Sequence, residues 1–255
     1  LSSPKEIIIF ENCQNQLKES GIHFVNCYRS AVLQLSEPTL EDTMPDAERL
    51  TWAIEEAFGV ENVKIPFAVM VKMAHTLREN NWNVCVKGEL KDGCFSCMEI
   101  TAPTDTAVVG CAIDIGTTTV TMVLTDLESG KILAKGSSGN GQIRYGADVI
   151  NRIIEQGKSG GRKKLQDAII KETLSPIIAN LCASARISAR SILRVSIGAN
   201  TTMNHLFVGV DAEPVRMEPY VPSFFHWEGL LAGDVKLPAN PLAPVLIAPN
   251  IGSYV

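Results

Sequence analysis

The sequence predicts an α/β fold, and three features of its apolar pattern support this prediction. A near-continuous apolar run at 108–115 is followed by two strand-like runs, at 120–127 and 131–137. Tight-turn residues separate these runs, as expected for neighbouring antiparallel strands. Beyond residue 146, helical periodicity alternates with short apolar strands. Apolar residues make up 45% of the 255 residues, which is ample material for a buried core.

The composition is typical of a globular protein and narrows the classes of function. Charged residues make up 20% of the chain and the formal net charge is −5. This disfavours a nucleic-acid surface and an anionic membrane surface, since either favours a basic patch. No apolar run is long enough to cross a bilayer, and residues 1–5 lack a signal core. The seven cysteines are scattered, which indicates reduced thiols and a cytoplasmic protein.

The pattern divides the chain into three parts. Residues 1–28 hold one apolar run and a polar stretch, and we interpret them as a linker segment. Residues 29–106 combine helix patterns, capped by Asp46 and opened by Pro66, with three strand-like runs. We therefore predict a small α+β middle domain there. Residues 107–255 follow the order strand, strand, strand, helix, strand, helix, strand, which is the order of an RNase H-like fold.

The later elements of this third part are less regular than its first three strands. Pro176 is expected to kink or split the longest of its helices. The predicted elements are helices at 147–156, 165–186 and 201–207, and strands at 192–197 and 244–248.

The turn after the first strand of the third part has the most informative chemistry. Its sequence is DIGTTT at 114–119. Asp114 stands where a carboxylate can hold Mg²⁺, and Gly116 would let the backbone approach a ligand closely. Thr117, Thr118 and Thr119 offer hydroxyls and successive N–H groups to phosphate oxygens. Threonines are also good strand residues, so an ordinary hairpin is the alternative.

A phosphate hairpin of this kind opens the ATPase superfamily of actin, Hsp70 and sugar kinases, which this sequence resembles. The second phosphate loop of that superfamily is also rich in glycine. The run NIGSYV at 250–255, with Gly252 and Ser253, resembles the beginning of that loop. The sequence stops inside the run, so we expect it to hold only the first half of a nucleotide cleft.

A narrower resemblance rests on several motifs that agree in order. They are AIDIGTTTV at 112–120, DLESG at 126–130, YGADVINRI at 145–153, GANTTMNH at 198–205 and PYVP at 219–222. This succession resembles the ATP-dependent reductive activators of corrinoid proteins, which include the activators of methyltransferase systems. The resemblance covers residues 107–255 well and extends more weakly into the preceding part.

The resemblance implies an activity, cofactors and partners. Members of that family use ATP and Mg²⁺ to drive reduction of a corrinoid from Co(II) to Co(I), with an electron from an iron–sulfur domain. In many members a ferredoxin-like domain with a 2Fe–2S cluster precedes the part seen here. This sequence lacks a plant-type run of cysteines, so we expect that domain to be missing and this chain alone to be inactive. A homodimer and a corrinoid-protein partner of a methyl-transfer system are also implied.

Resemblance and chemistry together suggest individual roles. Asp114 would position Mg²⁺. Asn200 ends a predicted strand where related ATPases place a Glu, Asp or Gln near the hydrolytic water. Because an amide orients water but is a poor base, slow hydrolysis suited to a switch is expected. Asp148 is either an acid at a helix N-terminus or a residue near the metal. Tyr145 and Gln142 either line the cleft or pack a loop.

Other functions are weighed against this one. Cys94 and Cys97 form a C-x-x-C, but no second pair follows, so a metal or redox site is not expected there. A small-molecule kinase of the same superfamily would need a catalytic Asp where Asn200 stands. A third hypothesis, from another class, is a fragment that serves only as a binding or dimerisation module.

Overall fold

The computed structural model describes residues 19–20 and 26–252, and these residues form two β-sheets with helices packed against them. Most of the predicted linker segment 1–28 lies outside the described residues. The first sheet has the strand order β1-β3-β4-β2. Its elements are β1 (Tyr28–Gln34), α1 (Asp46–Phe58), β2 (Asn62–Lys64), α2 (Phe67–Glu79), β3 (Asn83–Lys91) and β4 (Cys94–Thr101).

The two helix patterns predicted around the first sheet are confirmed, with one correction at the start of α1. Leu50 of α1 and Val69 of α2 are fully buried against Phe95 of β4. Pro45, in extended conformation, occupies the N-cap position that we expected Asp46 to fill. Asp46 instead lies in the first helical turn, where its carboxylate interacts favourably with the helix dipole. The same carboxylate pairs with Arg78 at 2.7 Å.

The second sheet has the strand order β7-β6-β5-β8-β9. The first three of these strands along the chain are antiparallel neighbours, and β8 and β9 continue the sheet from β5 in parallel. The predicted α/β class with a three-stranded meander is confirmed, and the strand order is that of an RNase H-like sheet. The strands are β5 (Val109–Ile115), β6 (Thr119–Asp126), β7 (Ile132–Gly139), β8 (Ile192–Ala199) and β9 (Val245–Ile247).

Helices pack against one face of the second sheet. They are α3 (Val149–Gln156), α4 (Gly161–Ile169), α5 (Ser175–Ala185), α6 (Thr201–Val208) and α7 (Glu213–Arg216). The helix predicted over 165–186 is resolved into α4, a π-helical turn at Ile170–Leu174, and α5. Pro176 follows the π-helical turn within one continuous helical path, since Leu174 and Ser175 have helical backbone angles. The irregular turn thus lies just before the residue that has no N–H to donate. The opposite face, with Ala112 and Leu246, is exposed.

Buried polar side chains join the two sheets. Lys87 of β3 is fully buried, and its Nζ lies 2.6 Å from the carboxylate of Asp105 and 3.1 Å from Ser191 Oγ. Glu99 of β4 is also buried and accepts hydrogen bonds from Arg190 at 2.8 Å and Asn240 at 2.9 Å. Lys87 and Glu99 therefore each have a charged partner, as low-dielectric surroundings require. Within the described ranges, no helix is long and apolar enough to cross a membrane.

Candidate nucleotide-phosphate site

The β5–β6 turn (residues 116–118) is a tight connection whose first position requires glycine. Gly116 N donates a hydrogen bond to the carbonyl oxygen of Thr119 at 3.0 Å. A Cβ at position 116 would lie only 2.6 Å from that same oxygen. The structure requires glycine here because the two strand ends approach each other closely. The prediction that Gly116 lets a ligand approach the backbone has a different basis and stays a prediction.

All three carbonyl oxygens of the β5–β6 turn accept hydrogen bonds from the body of the protein. Gly116 O accepts from Asn140 Nδ2 at 2.9 Å, Thr117 O from Arg152 Nη2 at 2.6 Å, and Thr118 O from the backbone N–H of Asn140 at 2.8 Å. In a planar trans peptide the N–H points away from the carbonyl. The N–H groups of Thr117 and Thr118, which follow the first two carbonyls, are therefore directed away from the donors of Asn140 and Arg152.

The N–H groups directed outward by the β5–β6 turn are free to bind an anion. In the part of the chain that the structure describes, neither Thr117 N–H nor Thr118 N–H has a hydrogen-bond partner. Successive unpaired N–H groups in a turn form a concave site that binds phosphate oxygens. The exposed side chain of Thr118 and the exposed side chain of Thr119 place hydroxyls on the same turn. These features fit the phosphate groups of a nucleotide.

Asp114 lies one residue before the end of β5, on the exposed face of the second sheet. In register it lies opposite Thr121 of β6 and Gly198 of β8. A groove of about 350 Å³ runs over this face and includes Asp114 in its lining. Among the described residues no group of three His, Cys, Asp or Glu side chains could hold a metal ion. A single carboxylate still suits Mg²⁺, which in nucleotide sites takes most remaining ligands from water and phosphate.

Asn200 follows β8 at the same edge of the sheet as the β5–β6 turn. Ile115 and Ala199 are paired in the parallel ladder, so the residues that follow each strand are neighbours. Asn200 Oδ1 caps α6 by accepting from Met203 N–H at 2.8 Å, and among the described residues its Nδ2 has no hydrogen-bond partner. The amide NH₂ is thus the part of Asn200 available to a water molecule or a phosphate, and its role in hydrolysis stays a prediction.

The segment after β9 is attached to α6 at this edge. Asn250 Oδ1 accepts from Asn204 Nδ2 at 2.7 Å, and the hydroxyl of Thr201 donates to the carbonyl of Gly252. This brings Gly252, predicted to open a second phosphate loop, to the side of the site where Asn200 lies. Ser253, the other predicted residue of that loop, is outside the described residues.

The structure supports the simpler alternative for three other candidates. Asp148 caps α3, with one carboxylate oxygen 2.8 Å from Asn151 N and the other 2.8 Å from Asn151 Nδ2. Gln142 is fully buried and donates to Leu165 O at 2.9 Å. The ring of Tyr145 packs beneath Lys164, with Nζ 5.1 Å from the ring centre. Their contacts hold the loop before α3, and a role of Asp148 near the metal remains a prediction.

The cysteines do not form a cluster or redox pair in the described chain. Cys94 and Cys97 are both free thiols on β4, and three residues of strand place them on opposite faces. Cys97 is buried, and burial raises its pKa to about 12, which suppresses the reactive thiolate. The described residues therefore do not fit an iron–sulfur cluster, and no electron-transfer step is assigned to them.

Fold and site together define an α/β protein with a candidate phosphate site in the turn at the edge of an RNase H-like sheet, and comparison with known families identifies its class. Residues 109–255 match the family described as the RACo middle region, and residues 18–92 match the RACo linker region. The first match covers more than half of the chain. The chain therefore belongs to the RACo family.

Individual relatives agree with this assignment. The chain is 36% identical over 149 residues to the corrinoid activation enzyme RamQ of Eubacterium limosum, which covers 58% of this chain and 25% of RamQ. It is also similar to a solved reductive activator for a corrinoid, iron–sulfur protein, with a TM-score of 0.71, 33% identity, and coverage of 91% of this chain and 37% of that one. The resemblance seen in the sequence is confirmed, and the chain spans 25% of the first relative and 37% of the second.

Proposed function

We propose that the protein activates a corrinoid protein by ATP-dependent reduction of its cobalt from Co(II) to Co(I). In this proposal the present chain supplies the first phosphate-binding turn of an ATPase domain. The main support is the β5–β6 turn, in which three carbonyls are bound by the protein body and the N–H groups of Thr117 and Thr118 are free. Membership of the RACo family supplies the corrinoid and reductive parts of the proposal.

The roles of the residues follow from their positions. The outward N–H groups and the threonine hydroxyls of the β5–β6 turn bind phosphate oxygens, and Asp114 holds Mg²⁺ directly or through water. A bound Mg²⁺ neutralises charge on the phosphate groups. Asn200 Nδ2 orients a water molecule or a phosphate oxygen while its Oδ1 caps α6. Since no strong base is placed there, hydrolysis is slow, which suits a conformational switch better than rapid turnover.

The electron needed for reduction comes from outside the described residues. Reduction of one Co(II) to Co(I) consumes one electron, and we assign its delivery to an iron–sulfur domain of the full-length protein. Hydrolysis of ATP to ADP and phosphate drives a conformational change in the complex of the protein with its corrinoid-protein partner. We further propose a homodimer. The division into a middle domain at 29–106 and the first half of an ATPase domain at 107–255 belongs to this proposal.

The decisive experiment follows the cobalt directly. A Co(II) corrinoid protein is mixed with the full-length protein and a low-potential electron donor, and Co(I) is measured by visible absorbance with and without ATP. We expect ATP-dependent Co(I), reduced by about tenfold to a hundredfold in Asp114→Asn because a metal-holding carboxylate is lost. Asp92→Asn, in the β3–β4 turn of the other sheet, is the matched control and should retain full activity.

Two results would contradict the proposal. If ATP leaves the yield of Co(I) unchanged with every corrinoid partner tried, the activator function is wrong. If Asp114→Asn and Asp92→Asn both behave like wild type, ATP acts elsewhere than at this site. In the first case, release of ADP that depends on a small-molecule acceptor would favour a kinase of the same superfamily.

A further inference from the structure

Arg152 on α3 is an unusual residue for the interior of a protein. It is fully buried, and it forms no ion pair with any carboxylate in the described ranges. Burial lowers its pKa, and the carboxylate of Asp148 acts in the opposite direction. Taking a guanidinium out of water without an anionic partner costs several kcal/mol, so packing alone would favour an apolar side chain. The position of the charge therefore calls for another explanation.

The contacts of Arg152 connect three segments around the candidate site. Nη2 donates to the carbonyl of Thr117 at 2.6 Å, Nε donates to Gly146 O at 2.9 Å, and Nη1 lies 3.3 Å from Met203 Sδ on α6. A single planar guanidinium thus connects the β5–β6 turn with the loop before α3 and with α6. Its positive charge lies behind the turn, where it raises the electrostatic potential felt by an anion in front.

Asn140 is a second clamp on the same turn. Its Nδ2 donates to Gly116 O at 2.9 Å, its backbone N–H donates to Thr118 O at 2.8 Å, and its Oδ1 accepts from Gln142 N–H at 2.9 Å. The side chain is almost completely buried. Arg152 and Asn140 are therefore the donors that hold the three carbonyls of the turn on the protein side.

We propose that Arg152 and Asn140 are positioning residues for polyphosphate, because they keep the N–H groups of the β5–β6 turn directed at the ligand. This inference rests on the proposed ATP-dependent function and adds the residues on which its phosphate recognition depends. Without the clamps, the peptide units of the turn are free to rotate and present carbonyl oxygens, which repel an anion. The negative charge of the bound phosphate groups offsets the buried positive charge of Arg152, for which the described residues provide no carboxylate partner.

The test uses two variants that retain most of the local packing. Arg152→Lys keeps the charge but loses the planar set of donors, since an ammonium cannot reproduce the geometry of a guanidinium. Asn140→Asp keeps the shape and the acceptor for Gln142 N–H but loses the donor to Gly116 O. Arg144→Lys is the matched control, because Arg144 is exposed and pairs with Glu172 on the surface.

ATP hydrolysis by the full-length protein is measured with inorganic pyrophosphate and, separately, adenosine as competitive inhibitors. We expect the inhibition constant of pyrophosphate to rise about tenfold to a hundredfold in both clamp variants, as for one lost hydrogen bond to a charged group. The inhibition constant of adenosine should change less than threefold in these variants. Arg144→Lys should match wild type with both inhibitors. Thermal unfolding of each variant identifies any variant that fails to fold. If one clamp variant fails to fold, the inhibition constants of the other clamp variant test the inference.

Three outcomes overturn the inference. Unchanged pyrophosphate inhibition in a folded Arg152→Lys or Asn140→Asp protein means that the clamps do not set phosphate affinity. Parallel loss of pyrophosphate and adenosine inhibition means that the two residues act only on general stability. If wild type neither hydrolyses ATP nor responds to pyrophosphate, the proposed function itself fails, and that result is distinct from the other two.

Discussion

At position 116 the space for a side chain is closed by the protein's own backbone. The Cβ of alanine at this position would lie 2.6 Å from Thr119 O, so Gly116→Ala must shift the β5–β6 turn. We expect a loss of about 1–3 kcal/mol in the free energy of unfolding, as for other overpacked sites. ATP affinity should also fall at least about tenfold, since one charge-assisted hydrogen bond is worth about 1.5–3 kcal/mol. Urea unfolding and calorimetric ATP titration measure the two effects.

Gly139→Ala is the control for this substitution. Gly139 is paired with Thr119 at the end of β7, but a Cβ there would meet no atom within 4 Å. Its unfolding free energy should stay within about 0.5 kcal/mol of wild type, as for ordinary surface changes. If the two alanine variants bind ATP equally well, the β5–β6 turn is not the phosphate site.

Local motifs made part of the candidate site predictable. Asp114, Gly116 and the threonines lie within one short run, so sequence order alone brings them together. Asn140 and Arg152 were missed because they are 24 and 35 residues from the carbonyls that they bind. One signal was available in the sequence, since Arg152 lies within YGADVINRI at 145–153, one of the motifs that carry the family resemblance. Only the packing of α3 against the turn shows what that arginine contacts.

The π-helical turn between α4 and α5 gives a prediction at the scale of one element. Thr173, in that turn, accepts a hydrogen bond from Gly141 N–H at 3.0 Å and donates to Ala168 O at 2.8 Å. Thr173→Val keeps the shape but leaves Gly141 N–H without its acceptor, so we expect a loss of about 1–3 kcal/mol in unfolding free energy. Ser175→Ala removes only a bond to Ile170 O, and should cost about 1 kcal/mol or less. Equal losses in urea unfolding would show that the π-helical turn has no special role.

Periodicity predicted the long elements and failed for the short or irregular ones. The helix patterns from Asp46 and Pro66 are helices in the structure because their apolar stripes face the first sheet. Strand β2 was missed since three residues with a single apolar side chain are too few to establish a strand pattern, and they are held by parallel pairing with β4. The π-helical turn was missed because one extra residue in a turn leaves almost no trace in composition.

At the scale of the whole molecule, the arrangement of the two sheets was beyond prediction from the sequence. Their connection depends on buried charges far apart in the chain, such as Lys87 with Ser191 and Glu99 with Asn240. A lysine or glutamate in a strand is predicted from the sequence to be exposed to solvent, because these residues are almost never fully buried unless they are paired. A sequence pattern does not show which partner a buried charge will find. The relative placement of the two sheets is therefore a property of the tertiary structure alone.

The Lys87–Asp105 pair allows the strength of this connection to be measured. Asp105→Asn leaves the buried ammonium of Lys87 without its counter-ion, and breaking a buried pair in this way costs about 3–5 kcal/mol. We expect the lower end of that range, because the Asp105 side chain is 34% exposed. Lys87→Met should cost less, since the remaining carboxylate can reach water. The double variant should therefore be more stable than the sum of the single losses predicts.

Urea unfolding of the four proteins completes this cycle, with Asp167→Asn as a surface control. Asp167 pairs with Lys163 and Lys171 along an exposed helical face, and such pairs contribute about 0–1 kcal/mol. If Asp105→Asn is no more destabilising than Asp167→Asn, the buried pair does not hold the sheets together. If Lys87→Met is the more costly single change, packing of the lysine stem, and not its charge, stabilises the contact. We expect Asp105→Asn to lose more unfolding free energy than Lys87→Met or Asp167→Asn because Lys87 is buried. Only a charge that is cut off from water depends so strongly on its partner.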